Sequence, residues 1–216
     1  YAFPMILMVV IAVVTTVIYR TTQSSQGLMV RANWRDLNGD KAGALKLYSM
    51  ISEIYPTNAE VQRRYYDLAM EMRNRTEAEV ANERLMDLYP DNREYYLERQ
   101  ADLQVWQDRF LSAVELYREV ARLRPTDVQL KEKIAKALLW GRKWDDAKRE
   151  FTALLEIDPS NPGYMQGVAG AAAGEARQIR TELAMSGRSN GMTSSEREEK
   201  LRELQENQEL ATRYYD

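Results

Sequence analysis

Apolar helical runs alternate with short polar breaks along most of the chain. Four of these runs end at a proline, Pro56, Pro90, Pro125 and Pro159, with separations of 34, 35 and 34 residues. A polar pair follows each proline, which is typical of one helix ending and the next being capped. The period therefore predicts a helical hairpin that repeats four times over residues 27–161.

Two further positions recur in phase with these prolines. An alanine lies twelve residues before each proline, at Ala44, Ala78, Ala113 and Ala147. Four residues later in each repeat come Tyr48, Asn82, Tyr117 and Phe151. A small residue allows two antiparallel helices to approach within about 8 to 10 Å. An aromatic residue one turn later fills the space toward the next hairpin.

The first helix of each hairpin has its own small crossing residue, as Ala32, Ala101 and Ala135. In the second repeat, Tyr66 occupies this position and Asn82 replaces the aromatic residue, so we expect looser or shifted packing there. The 35-residue spacing predicts one extra residue in the third repeat, most simply in the loop around residues 91–93.

This pattern resembles the tetratricopeptide repeat (TPR), a helix-turn-helix unit of 34 residues, over about residues 25–161. The resemblance implies an all-α fold, an α-solenoid of about four repeats whose concave face binds peptides or partner domains. The positions that it places on that face are Arg63, Arg64, Asp67, Glu98, Arg99, Asp102, Trp106, Glu132, Lys133, Lys136 and Trp140.

Two alternatives to a binding face remain open at these positions. The charged residues also suit a plain solvated surface, and Trp106 and Trp140 also suit a core. Exposed tryptophan beside arginine is typical of interface hot spots, which favours binding. The lysine and asparagine clamp of chaperone-binding family members is absent, because Met29 stands at the position that partners Asn33.

The chain after the repeats divides into three predicted segments. Residues 162–185 form a capping helix whose small-residue run, 167–174, either docks another helix or packs onto the fourth repeat. Residues 186–194, rich in Ser and Gly, form a flexible linker. Residues 195–216 form a polar helix with a thin stripe of Leu201, Leu204 and Leu210, which is either a solvated arm or a segment that orders on a partner.

The N-terminal segment, residues 1–20, is predicted to be a single transmembrane helix joined to the repeats by a short linker, residues 21–26. Residues 1–19 carry no charge and give about 28 Å of helix, which matches the bilayer core. A cleaved signal peptide is the alternative, but the apolar run is too long and lacks a cleavage site. The thin positive flank after it favours a bacterial inner-membrane protein whose repeats are periplasmic.

The amino-acid composition excludes most catalytic chemistries. The chain has no Cys and no His, which excludes thiolate nucleophiles, imidazole bases and their metal sites. Its 30 basic and 33 acidic residues are mixed along the chain, which argues against nucleic acid. The adjacent acids Asp145 and Asp146, or the pair Glu77 and Glu79, lie near predicted helix starts, where acids favour the helix dipole. We expect no enzyme, cofactor, metal or small-molecule substrate.

The resulting hypothesis is a membrane-anchored TPR scaffold or adaptor. It would bind protein partners, themselves membrane-bound or part of a membrane complex, and support the assembly or stability of that complex. The alternative is a permanent accessory subunit of a large membrane complex in the bacterial envelope. Secretion, polysaccharide export, cytochrome maturation and energy-transducing complexes all fit that layout.

Overall fold

The structure is a computed structural model that describes residues 24–189 and 192–215. The predicted anchor lies outside these residues. In the described ranges, no helix is both long and apolar enough to cross a membrane.

The described ranges contain α-helices and one short 3-10 turn, Pro90–Asn92, and the predicted all-α, TPR-like fold is confirmed. Ten α-helices are described. They are α1 Ser25–Leu37, α2 Lys41–Ile54, α3 Ala59–Glu71, α4 Arg75–Leu88, α5 Arg93–Trp106, α6 Phe110–Leu123, α7 Val128–Trp140, α8 Trp144–Ile157, α9 Pro162–Ser189 and α10 Ser194–Tyr215. The chain divides into two compact units, with the boundary between Tyr96 and Leu97.

Side-chain caps mark the starts of several helices. Asp40 accepts a hydrogen bond from the backbone N–H of Gly43 at 2.9 Å, and Asp127 accepts one from that of Leu130 at 3.1 Å. Such caps satisfy backbone donors that have no partner within the helix, and each is worth about 0.5 to 2 kcal/mol.

Each turn between the two helices of a hairpin contains one residue in the left-handed region. These residues are Gly39 with φ 82°, Arg73 with φ 55°, Asp108 with φ 58° and Arg142 with φ 57°. A left-handed residue is a common way to end a helix, and glycine adopts this conformation at the lowest cost.

The bulky residues of the second helices are buried as expected. Tyr48, Tyr117 and Phe151 are all at most 2% exposed. The Tyr48 hydroxyl donates to Asn33 Oδ1 at 2.6 Å, which links the two helices of the first hairpin. The Tyr117 hydroxyl reaches Asp102 Oδ1 at 2.5 Å in the third.

In the second repeat, the large and the small side chain have exchanged places between the two helices. Tyr66 and Asn82 are both buried, at 3% and 0% exposure. The Asn82 side-chain amide donates to the backbone carbonyl of Tyr96 at 2.9 Å. The large side chain has therefore moved from the second helix to the first, a shift that leaves neither position open to solvent.

The extra residue of the third repeat lies in a helix and not in the predicted loop. The first helices α1, α3 and α7 have 13 residues, whereas α5 has 14. The segment before α5 forms the 3-10 turn Pro90–Asn92, and it is no longer than the equivalent connections of the other repeats. An α-helix accommodates one more residue by extending its hydrogen-bonding pattern.

The small-residue run of α9 packs on the fourth repeat. A Cβ built on Gly167 would lie 2.5 Å from the ring of Phe151, and one on Gly174 would lie 2.6 Å from the ring of Trp144. Both rings belong to α8. The capping alternative, and not a free docking face, therefore describes this run. Helix α9 itself continues to Ser189, into the segment expected to be a linker.

Helix α10 returns along α9 and is not a solvated arm in this structure. Leu210 and Tyr214 pack against a cluster that includes Phe151, Tyr164 and Val168. A polar contact accompanies this packing: Lys148 Nζ donates to Glu175 Oε2 at 2.7 Å and to Asn207 Oδ1 at 3.2 Å.

Candidate functional site

Three of the residues predicted to bind a partner lie on α3, in the first unit. Arg63, Arg64 and Asp67 are all exposed. Arg63 is held in place, because its guanidinium donates to the Tyr89 hydroxyl and lies 5.3 Å from the centroid of that ring. A cation over an aromatic face is stabilised by the ring quadrupole.

The other eight lie in the second unit. Helix α5 carries Glu98, Arg99, Asp102 and Trp106, and α7 carries Glu132, Lys133, Lys136 and Trp140. The structure thus places all eight on two first helices, as the repeat pattern predicts.

Lys133 joins α7 to α5 through two carboxylates. Its Nζ lies 2.8 Å from Glu98 Oε1 and 2.9 Å from Asp102 Oδ1. Arg124 forms a second ion pair with Glu98 and contacts Asp127 at 3.1 Å. These charges therefore stabilise the contact between successive repeats, which is a structural role that the sequence did not reveal.

The network changes the pKa of its members. Burial disfavours the charged form of Glu98, but hydrogen bonds from Lys133 and Arg124 outweigh this and lower its pKa. Burial likewise opposes charge on Lys133, yet its bonds to Glu98 and Asp102 raise its pKa. Burial raises the pKa of Tyr117 strongly, and the hydrogen bond to Asp102 adds to the effect.

Of the remaining members of the second-unit set, the two tryptophans and Lys136 are exposed, whereas Arg99 and Glu132 are half-buried. Trp106 and Trp140 are 46% and 50% exposed, so neither is a core residue. The ring centroid of Trp140 lies 5.8 Å from that of Phe110, which supports one face of the indole. Lys136 pairs with Glu132 within α7.

Two exposed aromatic residues were missed by the sequence reasoning, Trp34 on α1 and Tyr95 on α5, the latter 51% exposed. Trp34 on α1 is 65% exposed. Its place near the end of a first helix, close to the equivalent of Trp106 and Trp140, is the signal that would have indicated it.

The acidic pair considered for catalysis has a structural role. Asp145 and Asp146 both form ion pairs with Arg149, the first at 2.9 Å. Among the described residues, no group of three acidic side chains is placed to hold a metal ion.

Comparisons with known proteins assign the fold. No protein-family model and no curated protein matches the sequence. A crystal structure of MamA aligns with a TM-score of 0.52 and 14% identity, covering 86% of this chain and 91% of MamA. A second MamA crystal structure gives 0.50 and 14%, with coverage of 84% and 95%. The TPR protein YrrB gives 0.49 and 15%, with coverage of 92% and 95%.

The chain has a tetratricopeptide-repeat fold. At these identities the likeness concerns the fold, so the binding surface has to be argued from the residues of this chain.

Proposed function

We propose that the chain is a membrane-anchored TPR scaffold that binds protein partners close to a membrane and supports the assembly or stability of a membrane-associated complex. The observation that carries the binding site is the exposure of Trp106 and Trp140, at 46% and 50%, on the first helices of the second unit. Large exposed aromatic residues cost free energy in water, and they are enriched where partners bind.

The charges around these tryptophans differ in their availability. Glu98, Asp102 and Lys133 are engaged with one another. Lys136 is exposed, and the one ion pair that it forms among the described residues is with Glu132 of the same helix, four residues away. Exposed pairs of this kind are weak, about 0.3 to 0.5 kcal/mol, so a partner's carboxylate can displace Glu132 at little cost. The proposed binding surface thus combines a fixed ion-pair network with two exposed indoles and with Lys136, which can change its partner.

Proximity to the membrane follows from the sequence distance between the proposed anchor and the first repeat. The uncharged segment ends at Tyr19, and α1 begins at Ser25. The five residues between them, 20–24, span at most about 18 Å when fully extended. With residues 1–19 in the bilayer, the first hairpin and its partner would lie next to the lipid head groups.

Two experiments test the membrane part of the proposal. A version that starts at Thr21 should leave the membrane fraction and keep its helical circular-dichroism spectrum. If it stays with the membrane, a second membrane contact exists and the single-anchor proposal fails. Protease protection in spheroplasts tests the proposed side: repeats in the periplasm of a bacterial inner membrane should be digested without breaking the cells.

The binding surface is tested by a pull-down in gentle detergent with mass spectrometry, repeated with charge-reversed variants. Replacing Arg63, Arg64 and Arg99 by Glu should abolish partner capture and lower the melting temperature only slightly, through loss of the exposed contact between Arg63 and Tyr89. Arg118, exposed on the second helix α6, offers a matched control, since R118E should keep capture. Unimpaired capture by the triple variant would rule out the proposed face.

The same pull-down separates an adaptor from a permanent subunit. A transient adaptor should also purify alone, because its partner dissociates. A permanent subunit should keep its partners at a fixed ratio through purification and expose a large apolar surface when they are stripped away.

A further inference from the structure

Two cavities open side by side at the turns that end the first helices of the second unit. One, of about 440 Å³, is bounded by the turn before α6 and the end of α7. The other, of about 560 Å³, is bounded by the turn before α8 and the second half of α9. Arg142 lines both, so the two cavities are neighbours.

The smaller cavity has an apolar wall. Phe110 is partly buried, while Leu111 and Trp140 are 44% and 50% exposed. Gly141 brings the backbone close, since a Cβ there would lie 2.9 Å from the Leu111 side chain. A recess lined by leucine and two aromatic rings suits a bulky apolar side chain.

The larger cavity has an aromatic wall and two available positive charges. The Trp144 ring lies directly on Gly174, which leaves no room for a Cβ. Arg142 and Arg177 are exposed, and within the described ranges neither forms an ion pair. The acid that shares the cavity, Glu182, is already paired with Lys200 at 3.0 Å. The cavity therefore presents net positive charge.

We propose that the two cavities form one docking groove for an extended peptide segment that carries a bulky apolar residue next to an acidic one. We name it the turn groove and define it by Phe110, Leu111, Trp140, Arg142, Trp144 and Arg177. The apolar side chain occupies the smaller cavity. The neighbouring carboxylate is bound in the larger one by Arg142 and Arg177, whose planar guanidinium groups match its two oxygens.

The groove fits a peptide better than a lipid surface or a nucleic acid. Its apolar and positive parts are recessed, with volumes of about 440 and 560 Å³ that suit a short peptide segment. The exposed carboxylate of Asp108 lines the smaller cavity and would repel a phosphate-rich surface. The inference rests on the proposed function only in that both take a protein as the ligand. Trp140 is the one residue that the turn groove shares with the proposed binding face.

The backbone at Arg142 allows a clean test of its side chain. Its φ of 57° favours glycine, so R142G removes the guanidinium and relieves backbone strain at the same time. Loss of binding in this variant cannot be attributed to loss of folding. Arg73 has φ 55° at the equivalent turn of the first unit, so R73G is the matched control.

The experiment selects ligands for the purified full chain, in mild detergent, from a random heptapeptide phage library. We expect enriched peptides with an aromatic or aliphatic residue next to Asp or Glu. Synthetic fluorescein-labelled copies are then measured by anisotropy, together with versions in which the acid is replaced by its amide. The amide peptides should bind at least about tenfold more weakly, because the charged hydrogen bonds to arginine are lost.

The arginine variants complete the cycle. R142G combined with R177Q should lower the affinity for the acidic peptide at least about tenfold and leave the affinity for the amide peptide unchanged, while R73G matches the wild type. L111S should weaken both peptides. The variant with Arg63, Arg64 and Arg99 replaced by Glu should bind these peptides normally, so failure of the turn groove and failure of the proposed face give different results.

Three outcomes would overturn the inference: no enriched peptide, enriched peptides without an acid, or acidic peptides that bind the R142G and R177Q double variant as they bind the wild type. Displacement of the peptide by monomeric dihexanoyl phosphatidylglycerol, equally strong for the acidic and amide versions, would instead assign the groove to lipid head groups.

Discussion

The backbone of Gly167 on α9 lies against the ring of Phe151 on α8, so close that a Cβ would stand 2.5 Å from the ring carbons. Phe151 is itself 2% exposed and belongs to the core cluster of the last repeat. The glycine therefore sets how closely the capping helix approaches the fourth repeat.

This contact predicts opposite effects for two glycines of one helix. G167A should destabilise the protein by about 1 to 3 kcal/mol, because the methyl group has to displace a buried ring. G170A should stabilise it by about 0.5 to 1 kcal/mol, since its Cβ would meet nothing closer than Leu139 at 3.9 Å and alanine favours the helix. Urea unfolding followed by circular dichroism measures both. Equal shifts in the same direction would contradict the contact.

The repeat framework was predictable because its determinants recur locally. The four prolines, and the alanines twelve residues before them, reflect helix ends and close crossings that every hairpin needs. The position of the extra residue was not predictable, since an insertion in α5 lengthens the proline spacing by the same amount as one in the loop. The size exchange between Tyr66 and Asn82 was visible, but its consequence depended on packing in three dimensions.

The candidate site was predicted as a set of positions and not as a set of interactions. The repeat pattern places Glu98, Asp102 and Lys133 on first helices, and the structure does the same. That Lys133 bonds to both acids depends on side chains 31 and 35 residues apart, which no short-range pattern encodes. The docking of α10 was hidden for the same reason, because Leu210 packs on a cluster formed largely by α8 and α9.

The ion-pair network predicts a pH-dependent contribution to stability. The pKa of Glu98 is below its ordinary value of 4.5, so its contribution is present above pH 4.5 and is lost as the pH falls through the lowered pKa. We expect K133M to lower the free energy of unfolding by about 1 kcal/mol at pH 7, a partly exposed network being worth little more. The difference from the wild type should shrink below pH 4.5, as Glu98 is protonated in both proteins.

At the alkaline end, the pKa of Lys133 is raised above its ordinary value of 10.5. Its contribution to the free energy of unfolding is therefore fully present below pH 10.5 and is lost as the pH rises through the raised pKa. K136M is the control, because Lys136 is 48% exposed and pairs only with its own helix neighbour Glu132 among the described ion pairs. Its effect should stay within about 0.5 kcal/mol at every pH. A pH-independent deficit in K133M would mean that lost packing, and not charge, explains the change.

The left-handed turn residues predict opposite effects on stability for two substitutions in the first unit. G39A should destabilise the protein by about 1 kcal/mol, because its φ of 82° is costly for a side chain even though nothing lies within 4 Å. R73G should stabilise it by a similar amount, since φ is 55° there. Thermal melts give both values, and destabilisation by R73G would show that the Arg73 side chain makes a contact worth more than the strain.

The docking of α10 predicts different effects for two leucines of that helix. Leu210 is partly buried against the cluster of Phe151, Tyr164 and Val168, whereas Leu201 is 47% exposed. L210D places a charge in this apolar contact and should release α10. Desolvating a carboxylate costs more free energy than α10 gains by burying its few apolar side chains. Hydrogen exchange should then accelerate by at least about tenfold across α10 and rise in α9. L201D leaves the contact intact and should preserve protection, so equal acceleration in the two variants would show that helix propensity, and not docking, holds α10 in place.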